Sequence, residues 1–323
     1  MPKSKPAYLA PSELKTILHS KRAHIYYLEH CRVVVNGGRV EYITEQGSES
    51  LYWNIPIANT SCILLGSGTS ITQAAVRDLS KAGVMIGFSA GGGTPLFAGT
   101  EAEIGCEFFS PQSEYRPTEY LQQWCAFWFD DDKRLQCAKQ LQQMRLQTIA
   151  QCWPKLNWQY DTGRLNNLLT QFSAAFATAA DSMSLLAAEG RLTTALYALA
   201  NQATQQDALF RRSTRGERSD PANIFLDHGN YLAYGIGATA CWVLGLPHGL
   251  AVLHGKTRRG GLVFDAADII KDALILPQAF ISATAGDSPR DFRQICIEQL
   301  TRFEALDHVI DTLKQLAAQG AVG

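Results

Sequence analysis

The chain has 323 residues, which is enough for two domains and a large hydrophobic core. Hydrophobic residues make up 46% of it and charged residues 18%, as is usual for a soluble globular protein. The formal net charge of −1 excludes a uniformly basic surface, so any nucleic-acid-binding surface must be a local patch.

The first 110 residues show the pattern of short β-strands. Aromatic and β-branched runs separated by turn residues occur at 25–28, 32–35, 40–43 and 51–53. Asn36, Gly37 and Gly38 predict a hairpin between the second and third runs, because glycine tolerates the positive φ of a tight turn. We therefore predict a β-rich N-terminal domain over residues 1–110.

A strand, a glycine-containing loop, a helix and another strand are predicted over residues 62–88. The helix should cover about 71–82, with Ser70 and Gln73 forming a capping box at its start. The loop 66–69 lacks the third glycine of a dinucleotide-binding motif and the lysine of a phosphate-binding loop. A tight connection between strand and helix explains its glycines more simply than a nucleotide site does.

From about residue 117, apolar residues recur at steps of three and four, which is the period of an α-helix. The pattern predicts helices at about 117–152, 163–180, 182–204, 222–245, 265–283 and 289–318. We place the domain boundary between residues 110 and 111. The expected fold class is α+β, with a small β-rich domain followed by a larger all-α domain over residues 111–323.

The cysteines and the apolar runs limit the compartment. The eight cysteines form no C-x-x-C pair, so a zinc site or a thioredoxin-like motif has no support in the sequence. Reduced, buried thiols are expected in a chain of this size. No signal-peptide pattern is visible, and no apolar run approaches the roughly 20 residues of a membrane helix. We expect a cytoplasmic protein without a membrane partner.

Residues 253–272 combine a histidine, a basic loop and three regularly spaced acids. Asp265, Asp268 and Asp272 stand at i, i+3 and i+7, so they share one face of a helix. Carboxylates stacked in this way repel one another unless a cation lies between them. The face is either exposed to water, with Asp265 in a first helical turn, or part of a metal site that includes His254.

Glu189 is a second feature that indicates a site. It is a lone carboxylate in an otherwise apolar segment, and burying such a charge without a partner costs much free energy. Tyr197 shares its helical face. Glu189 either forms a structural ion pair, with Arg191 or another arginine, or binds a metal ion.

Together, Glu189, His254 and Asp268 form a possible set of one imidazole and two carboxylates. One nitrogen and several hard oxygens, without a thiolate, suit Mg²⁺ or Mn²⁺ better than a structural zinc ion. Such an ion would hold a phosphodiester oxygen, offset charge in the transition state and activate an attacking hydroxyl.

Two basic segments lie near these residues in the sequence. Their cationic residues are Arg211, Arg212, Arg215 and Arg218 in the first, and Lys256, Arg258 and Arg259 in the second. Mixed with glycine and serine, they favour contact with phosphate groups over solvated loops that pair with surface acids. Asn223, at the start of the next helix, is a further candidate site residue.

Several short motifs occur in a fixed order along residues 189–272. They are Glu189-Gly190-Arg191 with Tyr197, Asp220-x-x-Asn223 with Tyr231-Leu232, His254-Gly255, and Asp265-x-x-Asp268. In this order they resemble the CRISPR adaptation integrase family, the first CRISPR-associated protein. The overall sequence is most similar to the subtype I-F branch of that family, and the likeness covers the whole chain.

The resemblance implies a fold, an activity and a site. Members have a small β domain followed by a helical catalytic domain. They join the 3′-hydroxyl ends of spacer-precursor DNA to the CRISPR repeat by metal-dependent transesterification. By motif position, Glu189, His254 and Asp268 are expected to be the catalytic ligands of Mg²⁺ or Mn²⁺, and Asp265 an accessory acid.

The resemblance also implies partners. Family members form homodimers through their β domains, and two dimers flank a dimer of the second CRISPR-associated protein. In the I-F branch that second protein is fused to a helicase–nuclease. We expect Asn223 and Tyr197 to be accessory site residues, and Arg191 to contact DNA together with the two basic segments.

Two other functions fit the same residues. A stand-alone, structure-specific nuclease would hydrolyse branched DNA with water in place of the 3′-hydroxyl, using the same ion chemistry. A non-catalytic DNA-binding scaffold would use the acids only in structural ion pairs. The absence of a G-x-S-x-G signature agrees with a reaction that needs no protein nucleophile.

Overall fold

The structure, a computed structural model, describes residues 24–46, 49–88, 108–109, 118–205, 210–213, 220–255 and 260–322. The predicted DNA-binding residues outside these ranges are Arg215, Arg218, Lys256, Arg258 and Arg259. The chain forms two compact units, Met1–Glu114 and Tyr115–Gly323.

The first unit is built mainly from strands. In chain order they are β1 (His24–Leu28), β2 (Arg32–Asn36), β3 (Arg39–Gln46), β4 (Glu49–Asn54), β5 (Thr60–Leu65), β6 (Ser70–Ile71), β7 (Met85–Phe88) and β8 (Phe108–Phe109). They pair into two four-stranded sheets, ordered β1-β5-β7-β8 and β4-β3-β2-β6. In the first sheet β1, β5 and β7 run parallel, whereas β2, β3 and β4 of the second are antiparallel.

The predicted hairpin is confirmed. Strands β2 and β3 pair in antiparallel register and are joined at Gly37 and Gly38, whose φ angles are 55° and 80°. Both values lie in the left-handed region, which glycine adopts without steric cost.

One helix, α1 (Gln73–Lys81), completes the core of this unit. Its Leu79 belongs to the same hydrophobic cluster as Val33 and Ile63, and all six residues of β5 are buried. The predicted capping box is wrong because Ser70 lies in β6. The side chain of Thr72 caps α1 instead, accepting a hydrogen bond from an amide of the first turn.

In the loop 66–69, the backbone passes very close to neighbouring side chains. A Cβ atom at Gly66 would lie 2.5 Å from Tyr27 Oη, and one at Gly68 would lie 2.5 Å from His30 Nδ1. Gly68 also has a φ of 69°. Steric fit therefore explains both glycines, as a tight connection requires.

In the second unit, all regular secondary structure of the described residues is helical. The helices are α2 (Glu119–Trp128), α3 (Asp131–Cys152), α4 (Thr162–Thr178), α5 (Ser182–Ala203), α6 (Pro221–Val243), α7 (Gly261–Ile270), α8 (Leu276–Ala285), α9 (Pro289–Arg302) and α10 (Ala305–Val322). A π-helical turn, Lys271–Ile275, joins α7 and α8 into one run. The α+β fold class, with a helical second part, is confirmed.

Two of the predicted helices are interrupted. The helix predicted at 117–152 is two helices, because Asp130 caps α3 by accepting hydrogen bonds from two amides of its first turn. The helix predicted at 289–318 is broken at Glu304, whose φ of 49° is left-handed. None of the described helices is both long and apolar enough to span a membrane.

Two glycines of α6 let it pack closely against the run that carries the acids. A Cβ atom at Gly237 would lie 2.7 Å from the carbonyl oxygen of Val263 in α7. One at Gly229 would lie 2.4 Å from Ile275 Cγ2 in the π turn. Helix α7 is buried at every position except Phe264, so its acids are removed from water.

Candidate active site

The three regularly spaced acids lie inside the second unit. Asp265, Asp268 and Asp272 are 1%, 2% and 1% exposed. The interpretation as a water-exposed helix face is therefore wrong. Asp265 also lies a full turn beyond the start of α7 at Gly261, so it does not cap that helix. Carboxylates buried to this extent need partners within the protein.

Asp265 organises the loop that carries His254. Its Oδ2 accepts hydrogen bonds from the amides of Val252 (2.7 Å) and Leu253 (3.2 Å). Its Oδ1 accepts one from the His254 amide (3.1 Å) and lies 2.7 Å from His254 Nδ1. With Nδ1 donating to this carboxylate, the imidazole has one orientation and Nε2 is left to face Asp268.

Asp268 has one engaged oxygen and one without a hydrogen bond. Lys271 Nζ donates to Oδ1. Oδ2 is buried and accepts no hydrogen bond from any described residue. It lies 3.7 Å from His254 Nε2 and 3.9 Å from Arg145 Nη1. A buried acceptor left unsatisfied in this way calls for an explanation, and a bound cation is one.

Neighbouring charges set the ionisation of this pair. Burial alone would raise the pKa of Asp268, but Lys271, Arg145 and His254 outweigh it and hold that pKa well below its usual value. Burial alone would lower the pKa of His254, but the hydrogen bond to Asp265 and the charge of Asp268 outweigh it and raise that pKa. Asp268 is therefore ionised at neutral pH, and its charge favours the protonated form of His254.

Arg145 of α3 supplies the main positive charge to the acids. It is fully buried, and its Nη1 donates to Glu189 Oε1 at 2.8 Å. Its Nε donates to Asp272 Oδ2 at 3.0 Å, and its Nη2 donates both to that oxygen and to Thr193 Oγ1. Burial would lower the pKa of Arg145, but Asp272, Asp268 and Glu189 raise it, so the guanidinium stays charged.

Glu189 thus pairs with an arginine, but with Arg145 rather than Arg191, which is exposed on α5. Its Oε1 also accepts a hydrogen bond from Thr193 Oγ1 at 3.2 Å. Its side chain is 15% exposed, the most open of the acids in this group. The second oxygen, Oε2, accepts no hydrogen bond from the described part of the chain.

Sequence analysis missed Arg145 and Lys271. Arg145 stands on the buried stripe of α3, four residues from both Leu141 and Ile149. A charged residue on an apolar helical stripe indicates a buried ion pair, so this signal was available. Lys271 follows Asp268 by three residues, a spacing that brings two side chains together on a helix.

Asn223 lies in a different network. It is 1% exposed, and its Nδ2 donates to the Arg211 carbonyl at 2.9 Å. Its Oδ1 accepts hydrogen bonds from the Ser213 amide (3.0 Å) and from Arg212 Nη1 (2.8 Å). Arg212 also pairs with Asp227 on the surface of α6. Asn223 therefore anchors the first basic segment to the start of α6.

Tyr197 stands on the same helix as Glu189 and packs among aromatic rings. Its ring centroid lies 5.2 Å from that of Phe210 and 6.4 Å from that of Phe280. Burial, together with the charge of Asp272, raises the pKa of Tyr197, so the phenol stays neutral.

The site carries surplus negative charge. Its acids, called here the carboxylate cluster, are Glu189, Asp265, Asp268 and Asp272. Among the described residues, these four carboxylates face two cations, Arg145 and Lys271, which leaves a formal charge of −2 when His254 is neutral. No three His, Cys, Asp or Glu side chains of the described residues are already grouped to hold a metal ion. Arg145 holds Oε1 of Glu189 and Lys271 holds Oδ1 of Asp268, whereas Oε2 and Oδ2 of these acids accept no hydrogen bond from the described residues.

The fold and the candidate site together point to a family of proteins. A β-rich unit is followed by a helical unit, and the helical unit contains a buried cluster of acids and one histidine. The family model of the CRISPR associated protein Cas1 matches residues 26–285. The chain belongs to this family, and the resemblance found in the motifs is confirmed.

Two relatives called "CRISPR-associated endonuclease Cas1" are similar over nearly the whole chain. The protein from Pseudomonas aeruginosa (strain UCBPP-PA14) is 58% identical, over 97% of this chain and 98% of the relative. The protein from Pectobacterium atrosepticum is 57% identical, over 96% of this chain and 97% of the relative. Both organisms carry type I-F systems, in agreement with the predicted branch.

Three solved structures share the fold. TtCas1 bound to DNA has a TM-score of 0.64 and 21% identity, and covers 91% of each chain. A casposase bound to its integration product has a TM-score of 0.66 and 13% identity, again over 91% of each chain. A Cas6-RT-Cas1–Cas2 complex has a TM-score of 0.64 and 15% identity, over 93% of this chain and 35% of the matched chain. At these identities the likeness concerns the fold alone.

Replacing Arg145 by Met should lower the free energy of unfolding by about 3–5 kcal/mol, because buried carboxylates lose their counter-charge. Arg191→Met removes an exposed arginine from α5 and should change it by less than about 0.5 kcal/mol. Urea unfolding followed by circular dichroism measures both. Equal stability of the two variants would contradict the role assigned to Arg145.

Proposed function

We propose that this chain is a metal-dependent endonuclease and integrase of CRISPR adaptation. It joins the 3′-hydroxyl ends of spacer-precursor DNA to the CRISPR repeat by transesterification. Membership of the Cas1 family supports the general activity. The observation that supports metal dependence is the facing pair of His254 Nε2 and Asp268 Oδ2, which lie 3.7 Å apart, with Oδ2 accepting no hydrogen bond from the described residues.

The donor set fits Mg²⁺ or Mn²⁺. The proposed ligands are one imidazole nitrogen and carboxylate oxygens, and none of them is a thiolate. These ions accept such ligands. His254 is oriented through Nδ1 by Asp265, as metal-binding histidines usually are by a second residue. The formal charge of −2 matches a divalent cation. We assign His254, Asp268 and Glu189 as the ligands, Glu189 through Oε2.

Each remaining residue of the site has a positioning role. A bound ion would polarise a phosphodiester oxygen and stabilise negative charge in the transition state. Asp265 keeps Nε2 of the histidine directed at Asp268, and Arg145 holds Glu189 in place. Lys271 fixes Asp268 through Oδ1, so Oδ2 keeps one direction. The attacking group is the 3′-hydroxyl of DNA, so none of these side chains acts as a nucleophile.

The name of the relatives favours a second activity. Both are called endonucleases. Water in place of the 3′-hydroxyl would give hydrolysis of branched DNA at the same site, with the same residues in the same roles. Joined and cut products are distinguishable on one gel, so a single assay separates the two activities.

We propose DNA and a second CRISPR-associated protein, fused to a helicase–nuclease, as partners. The TtCas1–DNA and Cas6-RT-Cas1–Cas2 structures, which share this fold, support the two kinds of partner. We also propose a cytoplasmic location. The seven described cysteines are free thiols, which agrees with a reducing compartment.

Asp268→Asn should reduce joining of a labelled 3′-hydroxyl duplex to a repeat-containing plasmid by about 100-fold or more. The substitution keeps the size of the side chain but removes the anionic charge that holds a divalent ion, and each ~1.4 kcal/mol of lost stabilisation is tenfold in rate. His254→Ala and Glu189→Ala should behave alike. Double variants should lose little more, because ligands of one ion act as a unit.

Asp311→Asn is the matched control for these variants. Asp311 is an exposed acid of α10, and its substitution should leave joining unchanged. DNA affinity and melting temperature, measured on the same proteins, separate loss of chemistry from loss of fold. Near-wild-type joining by a folded Asp268→Asn protein would show that the proposed site is wrong.

Replacing Arg211, Arg212, Arg215 and Arg218 together by Ala should weaken DNA binding and flatten its salt dependence. Each lost phosphate contact changes the slope of log K against log salt by roughly 0.9 on duplex DNA. Arg212 is held by Asp227 and Asn223, so Arg212→Ala alone should change the slope least. Fluorescence anisotropy over a salt series measures this. An unchanged slope in the fourfold variant would indicate a solvated surface only.

The β unit should mediate a homodimer. Strand β4 is a sheet edge and carries Tyr52 and Trp53, which are 57% and 48% exposed, with Trp53 stacked on Tyr42. Replacing Tyr52 and Trp53 by Ser should weaken dimerisation at least about tenfold. Phe129→Ser, an exposed aromatic of the helical unit, is the control. Sedimentation equilibrium decides, and a wild-type monomer at micromolar concentration would refute the proposal.

A further inference from the structure

Helix α2 holds the loop of His254 through two indole N–H groups. Trp124 Nε1 donates to the Leu250 carbonyl at 2.9 Å, and Trp128 Nε1 donates to the Ala251 carbonyl at 2.7 Å. The two tryptophans stand four residues apart, so they lie on one face of α2. They bond to successive carbonyls of the loop, and neither belongs to the carboxylate cluster.

The loop residues held by these two hydrogen bonds are followed immediately by those that Asp265 holds. The carbonyls of residues 250 and 251 are held from α2, and the amides of residues 252–254 are held by Asp265 of α7. Residues 250–254 belong to no helix or strand. Two turn hydrogen bonds, at the Leu250 amide and the Leu253 carbonyl, also fix this backbone. Among the described residues, its other hydrogen bonds come from these side chains, and His254 stands at the end of the stretch that they hold.

Helix α2 is itself held in place by its neighbours. Phe127 is fully buried, and a Cβ atom at Gly320 of α10 would lie only 2.4 Å from its ring. Arg134 of α3 donates to the Trp128 carbonyl at 2.6 Å, and its guanidinium lies 5.2 Å from the centre of the Trp128 ring. The packed helices therefore fix the position of Trp128, and Trp128 in turn fixes the position of the loop.

We propose that Trp128 and Trp124 are positioning residues for His254. By setting the path of the loop backbone, they place the imidazole so that Nε2 faces Asp268 Oδ2. Misplacing a catalytic group by about 1 Å can cost about 100-fold in rate. Only the effect on metal binding rests on the proposed function, because the effect on the imidazole itself is independent of any reaction.

Trp128→Phe is the variant that tests this proposal. Trp128 is only partly buried, whereas Trp124 lies wholly in the core, so the change at 128 perturbs the fold less. Phenylalanine keeps an aromatic ring and removes the N–H donor. The matched control is Trp158→Phe, because Trp158 is also partly buried and its Nε1 donates to no described residue.

Two measurements on the full chain are needed. The first is the ¹³Cε1 NMR signal of His254 in histidine-labelled protein, identified by its absence in His254→Gln. The second is the affinity for Mn²⁺ alone, from the electron paramagnetic resonance of the free ion. We expect Trp128→Phe to shift the His254 signal and to weaken Mn²⁺ binding about tenfold, as loss of residues that orient a ligand usually does. Trp158→Phe should do neither.

The outcomes separate the positioning role from the proposed function. A His254 signal that is unchanged in Trp128→Phe, or shifted equally in Trp158→Phe, would overturn the proposal. A shift in Trp128→Phe alone supports it, even if the wild-type protein binds no Mn²⁺, a result that would instead refute the metal site. Should Trp128→Phe fail to fold, benzothienylalanine at position 128 keeps the shape of the indole without its N–H, and the same outcomes apply.

Discussion

One buried guanidinium allows the helices of the candidate site to meet. Arg145 projects from α3 between Glu189 of α5 and Asp272 of the π turn, and it is fully removed from water. Without a cation there, carboxylates from two helices would repel one another or take up protons, and the helices could not pack at this distance. The positions of Glu189 and Asp272 depend on this charge.

The two acids of α7 show how environment assigns different roles to identical side chains. Asp265 has both oxygens occupied by donors from the loop, so it can orient His254 but has no acceptor capacity left for a substrate or an ion. Asp268, one turn further along, has an oxygen that nothing in the described structure satisfies. The acid that can still accept a ligand is recognised by the hydrogen bond that it lacks.

The fold class was predictable because both kinds of periodicity are strong in this chain. Alternating and helical patterns identify elements well, but they do not decide between neighbouring caps, which is why Thr72 rather than Ser70 starts α1. The break at Glu304 depends on a left-handed backbone that its residue type does not indicate. Local sequence determines elements better than it determines their ends.

The site was predictable only in part, for a similar reason. Motif order identified the acids and the histidine, but the partner of Glu189 lies 44 residues away and is set by packing. Likewise, the chemistry of Asn223 is suitable for a site, yet its hydrogen bonds are used within the chain. Which donors and acceptors remain available depends on tertiary contacts, and a single sequence does not contain that information in readable form.

The π turn between α7 and α8 sets the rotational phase of the whole run. Each residue of an α-helix advances the direction of its side chain by about 100°, and a π turn accommodates one extra residue within the helix. Before this turn the run presents Asp265 and Asp268 to His254, and after it the run presents Phe280 to Tyr197. Losing one residue from the turn would point one of these two faces away from its partners. The number of residues in this stretch is therefore constrained in addition to the identity of Lys271 and Asp272, which contact Asp268 and Arg145. Divergent family members should be aligned here by length as well as by similarity.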